Sequence, residues 1–413
     1  MKSQLRSTAY IAIALLLGAI TGILRYPLFI QSAHFLSEIF LGALKLIGIP
    51  IIFLSILSTV SGFKSLKEMQ FLGRKVLKYT ILTTLIAATT ALIFYLTINP
   101  STNLKMDGDL PVPIQPSFLG TLLQMFPTNF IEVFLENNVF GAALISAVMG
   151  ISILSLPEKQ RVHLHTLFSS LFQALLKVTS IIIRFIPIGI WAFTTLFLQQ
   201  VVYDYHSMTP LVYYIICVVG ANLVQGIVVL PIILKIKGIS PLKTLKMAYP
   251  ALLTAFFSKS SSAALPLTIQ CSIEKGKMSK KVANFSLPLC SVINMNGCAA
   301  FILITVLFVS AQAGLHFSFP MMLFWIVLST LAAIGNASVP MGCYFLSSAF
   351  LVSMGVPIGV MGLILPIYAF IDMIETALNV WSDISVTSIV NKEASLQETT
   401  LSEKIESIKV ADL

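Results

Sequence analysis

Asp372, Glu375, Thr376, Asn379 and Asp383 lie within an apolar run from Ile364 to Val390, at steps that return to one helical face. An ionised carboxylate at the centre of a bilayer costs about 2.5–3.5 kcal/mol on insertion scales. Three carboxylates on one such helix therefore need partners: a bound cation, an amine, a proton or a basic side chain. The stripe reads as a binding site. Ser260, Ser261 and Ser262 offer hydroxyls and free backbone groups for a carboxylate or an ion. No GxSxG elbow surrounds them, and the five histidines (His34, His163, His165, His206, His316) fall near predicted span ends. With no nucleophile and base in reach of each other, an enzyme is not expected.

The elements that must position these groups are membrane spans. Hydrophobic residues make up 57% of the 413, charged residues 10%, and the mean hydropathy is +0.92. That composition excludes a soluble globular protein. The net charge of +9 is carried by short Lys/Arg clusters between apolar runs; it reads as topology signal, not as a nucleic-acid face. The five cysteines (Cys217, Cys271, Cys290, Cys298, Cys343) lie in apolar segments without CxxC spacing. They are expected to be packing residues, with neither a disulfide framework nor a zinc site. The first apolar run lacks a small-residue cleavage site and is read as a retained span.

Apolar runs long enough to span a bilayer, which takes about 20 helical residues, occur near 8–25, 35–62, 77–98, 118–155, 168–200 and 209–235. Basic clusters at Lys2/Arg6, Lys64–Lys75, Lys159/Arg161 and Lys235–Lys246 alternate with poorly charged loops, which places both termini in the cytoplasm. The segment from Ala248 to Ile273 breaks the alternation because basic clusters flank both its ends. It is expected to be a re-entrant hairpin, about 243–273, turning at Ser260–Ser262. Span seven follows, about 281–311. A second hairpin, about 320–356, is interrupted by Gly335–Pro340, and span eight runs about 357–391 before a flexible tail, 393–413. Kinked full spans are the alternative for either interruption. Two opposed hairpins, each followed by a polar-striped helix, form an inverted repeat, and such paired interruptions point to a transporter site where the tips meet.

Two further polar groups sit at membrane depth. Asn294, Met295, Asn296 and Gly297 interrupt span seven, either as an unwound turn presenting carbonyls to a cation or as interhelical hydrogen bonding. Thr80, Thr83 and Thr84 in span three either complete a cation site or bond back to their own backbone.

In order and spacing, the serine tip, the Asn294–Gly297 turn, the Gly335–Pro340 tip and the Asp372–Asp383 stripe resemble the dicarboxylate/amino acid:cation symporters, which include the glutamate transporters. Leu44-Lys45 leading to Pro50, and Phe185-Ile186-Pro187-Ile188-Gly189, agree with the resemblance, which extends over about residues 10–392. It implies an all-α polytopic membrane protein with eight transmembrane helices and two opposed re-entrant hairpins, working as an elevator-type transporter in a homotrimer. The inverted repeat itself belongs to that family description. Residues 1–76 and 118–200 would form a scaffold, and 77–98 with 209–392 a mobile transport domain. The resemblance implies an inner-membrane protein with no cofactor, coupled to sodium or protons.

By position, Asp372 corresponds to the residue that binds a substrate amino group, Asn379 to the one that binds its α-carboxylate, and Thr376 to a side-chain contact. Ser260–Ser262 and Ala337, Ser338, Val339 and Pro340 correspond to two gates. Asn294, Asn379 and Asp383, with Thr83, Thr84 and Asn296, fall in the cation sites. Four positions depart from the pattern. Glu375 stands where acidic-substrate members carry an arginine, Asn296 where sodium-coupled members carry an aspartate, and Tyr368 where many carry the aspartate that supports the arginine; Thr80 replaces a tyrosine. A carboxylate at 375 argues against an acidic amino acid. Either it is ionised and selects a cationic or neutral polar substrate, or it carries a proton and acts with the coupled ion, unless Lys259 neutralises it. A dicarboxylate symporter with a rearranged pocket and an uncoupled anion channel are the alternatives. Asn296 predicts fewer coupled sodium ions than in typical relatives.

Overall fold

The computed structural model describes residues 2–62, 72–100, 129–135, 139–201, 209–336, 339 and 341–411, and every regular element among them is helical. In chain order these are α1 (Lys2–Leu24), α2 (Pro27–Ser61), α3 (Leu72–Ile98), α4 (Glu132–Leu135), α5 (Val139–Leu154), α6 (Glu158–Arg184), α7 (Ile186–Val201), α8 (Thr209–Ile236), α9 (Pro241–Ser258), α10 (Ser261–Glu274), α11 (Lys280–Ile293), α12 (Asn296–Gln312), α13 (Phe319–Gly335), α14 (Gly342–Ser353) and α15 (Gly359–Ala411). Among the described residues, four stretches are long and apolar enough to cross a membrane: α3, α8, α11 with α12, and the first part of α15 to Ser395.

The sequence expectation needs correction at three places. The run 168–200 is two helices, α6 and α7, interrupted at Phe185. Pro187, the second residue of α7, has no N–H to continue the α6 ladder, and it is tolerated only in a first helical turn. Of the run 118–155, residues 118–128 lie outside the described residues, and the described remainder is the single turn α4 and the helix α5. The expected flexible tail continues α15 as helix to Ala411. Residues 393–411 hold Glu, Lys, Leu and Ile without Gly or Pro, so local propensity favours the helix.

Helix packing falls into two groups. In one, α2 packs against α5, α6 and α7, and α1 lies along α7. Gly18 and Gly22 make that last contact: a Cβ on Gly18 would come within 2.7 Å of Thr194, and one on Gly22 within 2.6 Å of the Thr195 carbonyl. Small residues four apart let membrane helices approach closely, and a 2.6 Å bond between the Thr21 and Thr195 hydroxyls closes the seam.

The other group surrounds α12, which is buried at every residue. Helices α3, α8, α13, α14 and α15 pack on it, and α9 and α11 pack on α15. Tyr214 of α8 stacks on Phe308 of α12 and bonds the Thr305 hydroxyl at 2.8 Å, which gives its phenol a partner in an apolar interior. The described contacts between the groups run from α2 to α13 and α14, from α5 to α14 and from α7 to α15.

Helix α8 contains a π-turn over Gln225–Val229, ahead of Pro231. In an i to i−5 pattern Pro231 would have served the Gly226 carbonyl, and proline has no N–H to give. The indole Nε1 of Trp381 donates to that carbonyl instead, at 3.0 Å. The indole thereby fastens α8 to the side of α15 opposite its polar stripe, where Ile374, Ala377 and Leu378 also lie. At the lysine-rich end, Glu393 accepts from Lys237 Nζ at 2.9 Å and lies 3.4 Å from Lys75 Nζ, while Tyr79 donates to the same carboxylate. Lys237 Nζ also donates to Tyr79 Oη at 2.5 Å, and that bond, ahead of the one to Glu393, holds the ammonium above the ordinary lysine range; together these bonds join α3, α8 and α15.

Candidate functional site

Two chain reversals and one break converge on the stripe of α15. The first reversal joins α9 to α10 through Lys259, which takes a left-handed conformation (φ 51°), and Ser260, which is extended and caps α10 by accepting from Ala263 N–H at 3.2 Å. The serine run therefore starts a helix, as its composition favours. The second reversal lies between α13 and α14, both packed on α12. Ala337, Ser338 and Pro340 lie outside the described residues; Val339 is buried. The break separates α11 from α12 at Asn294 and Met295, whose ψ values of 73° and 66° are non-helical. Both sequence readings are met in part: the turn is unwound, and its two amides also hydrogen-bond across to α15.

A pocket forms where these features meet. Lys259, Ser260, Ser261, Val339, Asp372, Glu375, Thr376 and Asn379 line it, joined by Met295, Cys298, Asn336, Gly342, Cys343 and Tyr368. Ser262 is exposed and absent from the lining, so of the serine run only the first two residues reach the pocket. The cavity is about 20 Å³, the space of about one water molecule. A ligand of amino-acid size enters only if the surrounding tips part.

Inside the pocket the donors and acceptors have defined directions. Asn379 Oδ1 accepts from Gly297 N–H at 2.9 Å, which fixes its NH₂ as the end free to donate, with Cys298 Sγ at 3.6 Å its one nearby acceptor. The Thr376 hydroxyl donates back to the Asp372 carbonyl at 2.7 Å and keeps its lone pairs for a ligand. Glu375 is 1% exposed; its Oε2 accepts from Tyr368 at 3.4 Å and its Oε1 has no hydrogen-bond partner. Lys259 forms no ion pair with Asp372 or Glu375 within 4.0 Å among the described residues, which pair Lys75 and Lys237 with Glu393 only. Its neutralising role as a direct partner is therefore not observed. Two buried carboxylates and one amide donor make this a surface that takes a cationic group at one end and an anionic group at the other.

A second cluster lies deeper. Asn294 Nδ2 donates to Ser382 Oγ at 2.9 Å and Asp383 Oδ1 at 3.0 Å, and Asn296 Nδ2 donates to Ser382 Oγ at 2.8 Å. Both amide oxygens then face α3: Thr83 Oγ1 lies 3.3 Å from Asn294 Oδ1 and 3.4 Å from Asn296 Oδ1, and Thr84 Oγ1 lies 2.9 Å from Asn296 Oδ1. Gln225, from the π-turn, donates to the Thr83 carbonyl at 3.0 Å. All seven of these side chains are buried. Hard oxygen donors from three helices, with one carboxylate, are the ligand chemistry of an alkali cation. The threonines are aimed at side chains as well as at their own backbone, where Thr83 also bonds the Thr80 carbonyl at 3.1 Å.

Gly297 makes this convergence possible. A Cβ there would stand 2.9 Å from Glu375 Cα and 3.1 Å from its carbonyl oxygen, both parts of a packed helix. Gly297→Val is expected to lower stability by about 1–3 kcal/mol, the usual cost of overpacking a fitted core, seen as a reduced melting temperature in detergent; an unchanged melt would show that α12 and α15 are not held at this spacing. Sequence reasoning missed Cys298, Asn336, Gly342 and Cys343. Contrary to the expectation that all cysteines are packing residues, Cys298 and Cys343 form a disulfide across the pocket wall, their Cα atoms 5.3 Å apart. Their 45-residue separation follows no short motif, so only the tertiary fold brings them together.

The protein comparisons agree with this architecture. A family model described as the sodium:dicarboxylate symporter family matches residues 8–393. The chain is 23% identical over 369 residues to the proton/glutamate-aspartate symporter of Escherichia coli (strain K12), covering 86% of this chain and 84% of that protein. It is 26% identical over 414 residues to excitatory amino acid transporter 3 of Oryctolagus cuniculus (87% and 78% covered), and 27% over 400 residues to the L-cystine uptake protein TcyP of Shouchella clausii (90% and 83%). With a family match across nearly all of its length, this chain is a membrane transporter, not an enzyme, and belongs to the sodium:dicarboxylate symporter family.

Proposed function

We propose that this protein is a secondary active symporter that imports a small neutral or cationic amino acid, or a related carboxylate, with sodium or protons. The observation that carries the reading is the presence of Asp372 and Glu375 in one buried pocket together with the oriented NH₂ of Asn379. Asp372 receives the substrate amino group, Asn379 donates to its α-carboxylate, and Thr376 contacts its side chain. Glu375 reads the side chain: its unpartnered Oε1 suits a cationic or hydroxyl-bearing group and repels a second carboxylate. The relatives named for glutamate and aspartate therefore differ from this chain in substrate, not in transport. Thr83, Thr84, Asn294, Asn296 and Asp383 hold the coupled cation, and Ser260–Ser262 with the 337–340 tip act as gates.

Residues 1–76 and 118–200 serve as a scaffold, and 77–98 with 209–392 as the unit that moves; the separation of the helix packing into two groups supports that division. The eight-span, two-hairpin topology, the homotrimer, an inner-membrane location and cytoplasmic termini complete the reading. Uptake of a panel of labelled amino acids and dicarboxylates into proteoliposomes tests it. Concentrative uptake of a neutral or cationic amino acid under a sodium or proton gradient is expected; flux that only follows the ligand's own gradient would make the protein a channel.

With Asn296 neutral, fewer than three sodium ions accompany each substrate. One ion fewer removes about 2.3 kcal/mol per 100 mV of driving force, more than a tenfold difference in attainable gradient. Reversal potentials in proteoliposomes measure the stoichiometry, and a value of three overturns this prediction.

A further inference from the structure

The disulfide pair is the pocket feature that transport of an amino acid leaves unused. Cys298 opens α12 just beyond the unwound turn, Cys343 is the second residue of α14, and Glu375 projects from α15. The two sulfurs and a Glu375 carboxylate oxygen all lie within 4.8 Å of one another, and all three residues are buried. Asn336 Nδ2 donates to Cys298 Sγ at 3.2 Å and to Cys343 Sγ at 3.6 Å, and Asn379 Nδ2 reaches Cys298 Sγ at 3.6 Å. Amide donors aimed at sulfur are the outer contacts that favour a metal-bound thiolate. Two oxygen atoms in the same wall, Glu375 Oε1 and Asn336 Oδ1, are buried without hydrogen-bond partners.

We propose that, when Cys298 and Cys343 are reduced, they and Glu375 form a binding site for a thiophilic divalent cation such as Zn²⁺, which occupies the pocket in competition with the organic substrate. An external dithiol supplies the two electrons and two protons that convert the disulfide to two thiols, leaving as its own disulfide. The incoming cation then displaces the two thiol protons. Two thiolates and a carboxylate make a three-ligand site of the kind that leaves a fourth, tetrahedral position open, here toward the cavity. Oxidation closes the site by joining the sulfurs to each other, so occupancy follows the redox state of the pair. The site is defined by binding alone and does not depend on which substrate the protein carries.

Co²⁺ is the probe, because thiolate ligation gives it a near-ultraviolet sulfur-to-cobalt charge-transfer absorption. The full-length protein is reduced with a dithiol, freed of it under argon and titrated with Co²⁺. The absorption is expected in the reduced protein, is absent from the oxidised protein, and disappears when Zn²⁺ is added. Cys298→Ser and Cys343→Ser should each weaken it, and Glu375→Gln should weaken Co²⁺ binding by at least about tenfold, a loss that even an outer-shell partner produces. No absorption in the reduced wild-type protein overturns the proposal. An absorption that survives in the Cys298→Ser/Cys343→Ser double variant also overturns it, since Cys217, Cys271 or Cys290 would then be the ligands. The redox contrast in wild-type protein needs no variant to fold.

Discussion

Asp372→Asn is expected to reduce concentrative uptake by about 10²–10³-fold while leaving the protein folded. In the proposed complex the Asp372 carboxylate is the sole anionic partner of the substrate amino group at its end of the pocket, and the pair is sealed from water. Removing one member of a buried ion pair costs about 3–5 kcal/mol, because the surviving charge loses its counter-charge without regaining solvent, and every 1.4 kcal/mol is about tenfold in binding. The free protein loses little. Asp372 forms no ion pair within 4.0 Å among the described residues, and the Thr376 hydroxyl donates to its backbone carbonyl at 2.7 Å. Substrate-dependent thermal shift and uptake should therefore fall together while the melting temperature of the free protein is nearly unchanged. An uptake rate within a few-fold of wild type would remove Asp372 from amine recognition.

Glu375→Arg is expected to move substrate preference toward acidic amino acids and to weaken neutral or cationic ones by at least about tenfold. The exchange reverses the sign of the group that faces the substrate side chain. In a desolvated pocket a like-charge contact becomes an attractive one, with a bidentate fork suited to a carboxylate. Tyr368 Oη, which now donates to Glu375 at 3.4 Å, would have to turn its lone pairs toward the arginine, so the gain for acidic substrates is expected to be partial. Tyr368→Asp in the Glu375→Arg background should increase it. Competition assays with glutamate and lysine against the labelled native substrate read the shift, and an unchanged profile would exclude Glu375 from specificity.

Much of this site was legible because membrane burial makes polar residues conspicuous. In a run as apolar as 364–390, each carboxylate and amide stands out, and helical spacing assigns its face. For the same reason Asn294 and Asn296 marked the break between α11 and α12. The serine run was read one residue too broadly: Ser260 is extended and Ser261 is the first helical residue, so Ser262 has already rotated out to the exposed side. The cysteine pair and Asn336 were not legible, because a sulfur or an amide near a helix end carries no periodic signal and its partners lie on other helices. Gly342 is similar. A Cβ there would fall 1.6 Å from Asn336 Oδ1, a restriction set by a neighbour six residues earlier across a chain reversal. Hydropathy located the α6 and α7 region but averaged over the break at Phe185. It also treated a charged tail as unstructured when its helix-forming composition was the better guide.

A Cβ on residue 297 would meet only the backbone and Cβ of residue 375, at 2.9 to 3.1 Å. Every amino acid except glycine has those atoms, so the frame of the pocket is indifferent to what lies beyond them. The position proposed to read the ligand can change identity without any compensating change in the helix beside it. A lineage could thus pass from one diet to another through single substitutions at residue 375, with the cation machinery a turn and more away on the same helix left intact.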